Sequence, residues 1–536
     1  MAIGFGLGYS CHTHFRLNSS LFRRVSSVRL TCAAAIETVD GSDGFNTDHV
    51  NGSEGGVEGR KVASEWKKFS SKEFGITNSM IAKSTRIVLN GLKRKGFDVY
   101  FVGGCVRDLI LKRTPKDFDV LTTAELKEVM KAFSWCEIVG KRFPICHVHI
   151  GDDVVEVSSF STSARNRSVD PTLVFQQHDE KDQNRWRNCM QRDLTINGFL
   201  LWPWEPKSSM ALLMFDPYAN TIYDYVGGIK DIKKAKVRTI LPASFSLVED
   251  CARILRAIRI AARLGFGFSR ETARAIKHLA HSVLQLDMGR HLMEMNYMLA
   301  YGSAEPSLRL LWRFGLLELL LPIQAAYFVC DGLRRRDKKS NMLLSLFSNL
   351  DKLLAPDRPC HSSLWVAILA FHMAVLDKPR EPLVVAAFSL AVHNGGDMEE
   401  AISIARKISK PHVTTYRELS EPANLEHKAL KKEILELGSS VNKALSNMTD
   451  TYYVSRAMSS YPKAPYSDLV FVSLHLYLKA LKIFECVNQG KEARFVPKQG
   501  GNINYELLAI GSVQEVRHVF ARVVFDTVFP LDLGET

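Results

Sequence analysis

From about residue 78 apolar runs and polar breaks follow one another closely enough to place elements. MIAKSTRIVLNGLKRKG (80–96) has apolar residues at helical spacing and stops at a glycine, which predicts an amphipathic helix. DVYFVGG (98–104) reads as a buried strand running into a turn. Val106, Leu109 and Ile110, at i, i+3 and i+4, open a helix directly after the glycines, and Thr114-Pro115 breaks it. DFDVL (117–121) is a short strand and AELKEVMKAF (124–133) a helix, while CEIVG, CHVHIG and VVEVSSF are strand candidates rich in Val and Ile. Beyond about residue 225 the strand signals fade. SLVEDCARILRAIRIAARLGF (246–266) reads as one strongly amphipathic helix, and Leu-rich helical segments follow at 306–322, 342–354, 364–376 and 383–393. The pattern predicts an α+β head followed by an all-helical remainder, without a fixed-period repeat.

The start of the chain is different. Met1 to Ile36 holds four arginines (Arg16, Arg23, Arg24, Arg29), no Lys, Asp or Glu, and many Ser, Thr and Ala. That is the composition of an organellar transit peptide, expected over 1–37 with VRLTCAAA (28–35) as its processing region and a chloroplast, or else a mitochondrion, as destination. Residues 38–77, Gly-rich and acidic, are expected as a disordered linker. The ten cysteines form no CxxC pair, which argues against a zinc ribbon or a disulfide framework and for reduced thiols. No apolar run reaches the roughly 18 residues of a membrane span, so no membrane partner is expected; LWVAILAFHMAVL (364–376), with His372 inside it, reads as a buried helix. A net charge of +13 points to a polyanion as partner.

The candidate chemistry lies in YFVGGCVRDLILKRTPKDFDVL (100–121). On a strand, residues two apart share a face, so Asp117 and Asp119 project together. Two like charges there need compensation, and a divalent cation supplies it: Mg²⁺ is commonly held by one or two carboxylates plus substrate phosphates. Gly103 and Gly104 lie where a strand turns into a helix, and without Cβ atoms the backbone there can approach a phosphate closely. Glu156 is an acid in the apolar strand VVEVSSF, costly unless paired or metal-bound, and is the third ligand a two-metal site wants. The glycines do not make G-x-G-x-x-G, so a dinucleotide fold is poorly supported. On the 246–266 helix, Glu249, Asp250, Arg253, Arg256, Arg259 and Arg263 fall on one side at 100° per residue.

GGCVRD (103–108) with KDFDV (116–120) resembles the head-domain signature of the class II nucleotidyltransferases, the family of the tRNA CCA-adding enzymes and bacterial-type poly(A) polymerases. QRDLTINGF (191–199), YDYVGGIKDIKKAKVRTI (223–240) and EDCARILRAIRIAARLGF (249–266) follow in that family's order. The resemblance covers about 78–300. It implies a DNA-polymerase-β-like head over 78–225, a neck with a base-reading helix over 226–300, and an all-α, RNA-binding body and tail over 301–536. It further implies two Mg²⁺ ions (Mn²⁺ possible) on Asp117, Asp119 and Glu156, and base reading by Asp250 and Arg253 with Glu249 positioning the arginine. Arg192, Asp193 and Asn197 would contact triphosphate and ribose, Arg107 and Asp108 would shape the pocket around Gly103 and Gly104, and Arg256 would join the nucleotide set. IVGKRFPICHV (138–148) resembles a signature that marks the poly(A) polymerases, with Lys141 and Arg142 facing RNA. The implied reaction is AMP transfer from ATP to RNA 3′ ends. CCA addition to tRNA with ATP and CTP is the alternative, and a non-catalytic RNA-binding protein on the same scaffold the second. Ser161, Gln191 and Asn188 depart from the family pattern at substrate-binding positions, not at the metal carboxylates. RFVPKQGGNINYELLAIG (494–511) reads as a surface loop.

Overall fold

The computed structural model describes residues 67–115, 117–140, 144–160, 194–196, 213–355, 358–449, 451–459 and 472–530. Eight strands come first: β1 (Lys67–Ser70), β2 (Val99–Val102), β3 (Asp119–Thr122), β4 (Cys136–Val139), β5 (Ile145–Ile150), β6 (Asp153–Ser159), β7 (Leu213–Asp216) and β8 (Thr221–Asp224). They form one sheet in the order β1-β8-β7-β2-β3-β6-β5-β4. Every neighbouring pair is antiparallel except β3 with β6, which is parallel.

The pleat sorts the side chains of β2, VYFV, between two faces. Val99 and Phe101 enter the main core with Val120, Val157, Phe215 and Ile222. Tyr100 and Val102 join Leu121, Met214 and Tyr223 in a smaller cluster on the other face. Helices α1 (Lys83–Arg94) and α3 (Leu126–Ala132) bury Val88, Leu89, Leu92, Leu126 and Val129 in the main core, and α2 (Gly104–Ile110) leaves the end of β2 directly.

The rest of the chain is helical: α4 (Gly228–Lys233), α5 (Ala243–Glu249), α6 (Ala252–Leu264), α7 (Arg270–His278), α8 (Met288–Leu299), α9 (Ala304–Phe314), α10 (Leu317–Leu320), α11 (Pro322–Cys330), α12 (Met342–Leu353), α13 (Ser362–Asp377), α14 (Pro382–His393), α15 (Met398–Ala405), α16 (His427–Asn447), α17 (Thr451–Met458), α18 (Leu474–Gln489), α19 (Tyr505–Ile510) and α20 (Val513–Val528). A two-residue parallel pair, Lys236–Val237 with Gly267–Phe268, ties the start of this region together. Helix α13 has no charged residue before Asp377 and is buried nearly all round, as a helix inside a multilayer body must be. The architecture is therefore α+β, as the sequence pattern predicts. The apolar core runs from Ile76 to Phe529. Among the described residues no helix is long and apolar enough to cross a membrane.

Four expectations change. The end of the 38–77 stretch is ordered structure: Lys67–Ser70 is strand β1, paired with β8, and Phe69 meets Phe74 edge-on at 6.2 Å. Residues 1–66 lie outside the described residues. Asp117 stands just ahead of β3 rather than in it. The 246–266 segment is two helices, not one: Asp250 is extended, with φ −146° and ψ 100°, and its Oδ1 accepts the Ala252 N–H at 3.1 Å. An Asp side chain that bonds nearby backbone competes with helix continuation. Finally, 494–511 is docked along part of its length. The Arg517 guanidinium lies 4.8 Å from the Phe495 ring centre, and Asn504 caps α19. Cys105, Cys136, Cys146, Cys251, Cys330, Cys360 and Cys486 are free thiols.

Candidate active site

The strand registers bring the acids together. Val102 pairs with Asp119 across β2 and β3, so the turn that follows Val102 lies beside that carboxylate. Gly103 in this turn has φ 88° and ψ −143°, a backbone region closed to residues with a Cβ. Val120 pairs with Val157 across the parallel strands β3 and β6. Asp119 and Glu156 each stand one residue earlier, so both project to the smaller-cluster face of the sheet. Phe118, between the two aspartates, is buried in the main core. Burial, and then the like charge of Asp117, push Glu156 up to about 7.

Sequence reasoning did not single out His147. It pairs with Glu156 across β5 and β6, with Nε2 3.9 Å from Oε1. Burial pushes this imidazole below its ordinary value, so it is neutral at pH 7 and does not offset the acids. Its position becomes visible only once the strand register is known. Among the described residues no three His, Cys, Asp or Glu side chains converge closely enough to hold a metal ion. The arrangement is an open set of hard oxygen donors. That suits a cation whose shell is completed by substrate phosphates better than one caged by protein alone.

The wall beside the glycines is rigid. Arg107 donates from Nε to Asp108 Oδ1 at 2.8 Å and from Nη2 to Oδ2 at 2.9 Å, a two-pronged contact that fixes both side chains. Cys105 donates to the Val102 carbonyl at 3.1 Å. Burial, then the charges of Asp119 and Asp108, drive its thiol far up, so it packs as a neutral group and not as a nucleophile.

The arginines of α6 are buried, which excludes a solvated charged face. Arg253 Nη1 donates to the Ser246 carbonyl at 3.0 Å, Ser246 Oγ at 2.9 Å and Glu249 Oε2 at 3.0 Å. Its Nε is 4.0 Å from Asp250 Oδ2. Arg256, 3% exposed, is pushed down to about 10 by burial and remains a cation at neutral pH. The connector before α6 is consumed structurally. Asp224 accepts the N–H groups of Gly227, Gly228 and Ile229 at 2.8–2.9 Å, and Asp231 accepts from Thr195 Oγ1 at 2.6 Å and Arg238 Nε at 2.9 Å. A Cβ on Gly228 would lie 2.3 Å from the Thr195 carbonyl oxygen. Helix α8 also reaches the acids: Tyr297 is raised by burial, with Asp117 among the charges acting on it. Lys141, Arg142, Arg192, Asp193 and Asn197 lie outside the described residues, as do Ser161, Asn188 and Gln191.

Among known proteins, residues 99–238 match the family described as "Poly A polymerase head domain" and residues 265–328 that described as "Probable RNA and SrmB- binding site of polymerase A". Poly(A) polymerase I of Haemophilus influenzae is 33% identical over 265 residues, 48% of this chain and 55% of that protein. Poly(A) polymerase I of Escherichia coli is 28% identical over 345 residues, 62% of this chain and 68% of that one. A CCA-adding enzyme of Geobacillus stearothermophilus is 32% identical over 232 residues, covering 43% and 52%. The matches thus span about half to two thirds of these relatives' lengths. A solved CCA-adding enzyme with ATP aligns over 78% of this chain and 85% of its own at 16% identity and a TM-score of 0.41.

Proposed function

From the premise that the chain belongs to the class II nucleotidyltransferase superfamily through its poly A polymerase head domain, we propose that it adds AMP from ATP to RNA 3′ ends without a template. The RNA 3′-oxygen attacks the α-phosphorus, the bond to the β-phosphate oxygen breaks, and pyrophosphate leaves. The observation that carries this reading is the register of β2, β3 and β6. It sets Asp119 and Glu156 on one face beside the Gly103 turn, with the Asp117 charge acting on Glu156.

Asp117, Asp119 and Glu156 are the residues that would hold two Mg²⁺ ions, or Mn²⁺ in their place. When bound, such ions lower the pKa of the 3′-hydroxyl and spread the charge of the leaving pyrophosphate. The chain's own groups bind and orient. The Cβ-free backbone at Gly103 and Gly104 lets the triphosphate approach. Arg253, fixed by Ser246 and Glu249, and Asp250 offer donors and acceptors to the adenine edge. Arg192, Asp193 and Asn197 complete the nucleotide contacts, while Lys141, Arg142 and the helical body hold RNA. The hairpin of β4 and β5 carries the two ends of IVGKRFPICHV, which favours poly(A) over CCA addition. Residues 1–37 would direct the protein to an organelle, a chloroplast first; a fluorescent fusion of this segment that stays in the cytosol would contradict that.

The test is a gel-resolved extension assay with Mg²⁺ and two RNAs, a tRNA lacking its 3′ CCA and an unstructured oligonucleotide, given ATP and CTP alone and together. A long A-ladder on the oligonucleotide with ATP alone is the expected result. Growth of the tRNA by three nucleotides only when both are present would replace the reading with CCA addition.

A further inference from the structure

Behind the base-reading segment, α6 and α8 enclose a second group of charges that the reaction as described does not use. Glu294, 1% exposed, is shared by two guanidiniums: Arg259 Nε lies 3.3 Å from its Oε2 and Arg290 Nη2 3.1 Å from its Oε1. Arg256 also feels the Glu294 charge. Three guanidiniums and one carboxylate leave this group net positive. A planar guanidinium carries five N–H donors. Yet among the described residues Arg259 makes no hydrogen bond, and its Nε is buried. Its plane is held instead by Tyr297, whose ring centre is 4.7 Å away. Tyr297 in turn feels the charge of Asp117, so Arg259 and the first acid flank the same phenol ring.

A buried cation with unused donors is costly unless a ligand completes it. An oxyanion is what a guanidinium fork matches. We propose that Arg259, set between Glu294 and Tyr297, binds a phosphate group of the substrate beside the Asp117 acid. The proposal rests on the polymerase reading for the identity of that substrate. A phosphate there can come from the ATP or from the RNA backbone.

The test uses the full chain carrying Arg259→Gln or Arg259→Lys, with melting temperatures to confirm folding. Equilibrium dissociation constants are measured for ATP and for a 15-nucleotide oligo(A), the latter across a salt series. If the site takes a nucleotide phosphate, ATP binding weakens roughly tenfold in Arg259→Gln while the oligo(A) constant holds. If it takes a phosphodiester, oligo(A) binding weakens roughly tenfold and its log–log salt slope falls by about 0.7, while ATP binding holds. In either case Arg259→Lys, which keeps the charge but not the fork, lies between Gln and wild type. Constants within twofold of wild type in both variants would overturn the proposal, as would an equal loss of both ligands that Lys does not relieve. If Arg259→Gln does not fold, the Lys variant decides: a selective loss for one ligand supports the site, and unchanged constants overturn it. Because binding and not turnover is read, a wild-type protein that incorporates no nucleotide would sink the polymerase reading separately.

Discussion

In the helical body, His372 and Glu418 meet at 3.2 Å, each with a side chain 1% exposed, and Tyr327 shares the same carboxylate. Nearby, Arg517 donates to two backbone carbonyls and to both oxygens of Glu492. In the head, Glu156 has a like-charged neighbour, Asp117, and a neutral one, His147. Further on, Arg259 makes no hydrogen bond among the described residues. Buried polar groups that satisfy one another hold a fold together, while those left in conflict mark where a ligand is awaited. The contrast separates stability from activity within one chain.

It can be broken in the body first. Phe388 stacks on both Phe371 and Phe484 at 6.0 Å, so Phe388→Ala is expected to cost about 4 kcal/mol in denaturant unfolding. Glu418→Ala strands His372 and the Tyr327 hydroxyl and is expected to cost about 3 kcal/mol. Both variants, assayed cold and folded, should keep wild-type turnover; a large fall in turnover would erase the contrast. Arg253→Ala should do the reverse, weakening ATP binding about tenfold by nucleotide titration, with a smaller effect on unfolding.

Acid sharpens the picture. Burial pushes His361 and His518 down to about 4. Below their ordinary value near 6.5 the unfolded chain binds protons that the folded chain does not, so stability falls from there to about 4 and then levels. Glu418 acts in the same direction: burial raises it, but bonds from His372 and Tyr327 outweigh that and hold it low. Its contribution, present above the unfolded carboxylate value, is lost as pH falls through the folded one. A melting temperature that rises on going from pH 7 to pH 5 would contradict this. The smallest expected effect is at α18, where Ser473 Oγ accepts the Leu476 N–H; Ser473→Ala should cost about 1 kcal/mol.

Much of this was legible in one dimension, and the rest was hidden for physical reasons. VYFVGG announces a buried strand and turn because four large residues precede two without side chains. Glu156 stood out because it interrupts an apolar strand. The break at Asp250 was hidden because apolar periodicity continues through 247–264, and only the cap chemistry of one Asp opposes it. KKFS gave no alternation to read, since an edge strand rich in lysine has a single residue to bury. His147 depends on register and the Arg259–Glu294 pair on packing across 35 residues, and neither leaves a local pattern.

The most direct measurement pairs activity and stability in one variant, Asp117→Asn/Asp119→Asn. Nucleotide incorporation should fall about a thousandfold with RNA binding retained. The melting temperature should hold or rise, because removing the Asp117 charge relieves Glu156. Incorporation near wild type would contradict the assignment of these carboxylates to the reaction, and a large loss of stability would show them to be part of the scaffold.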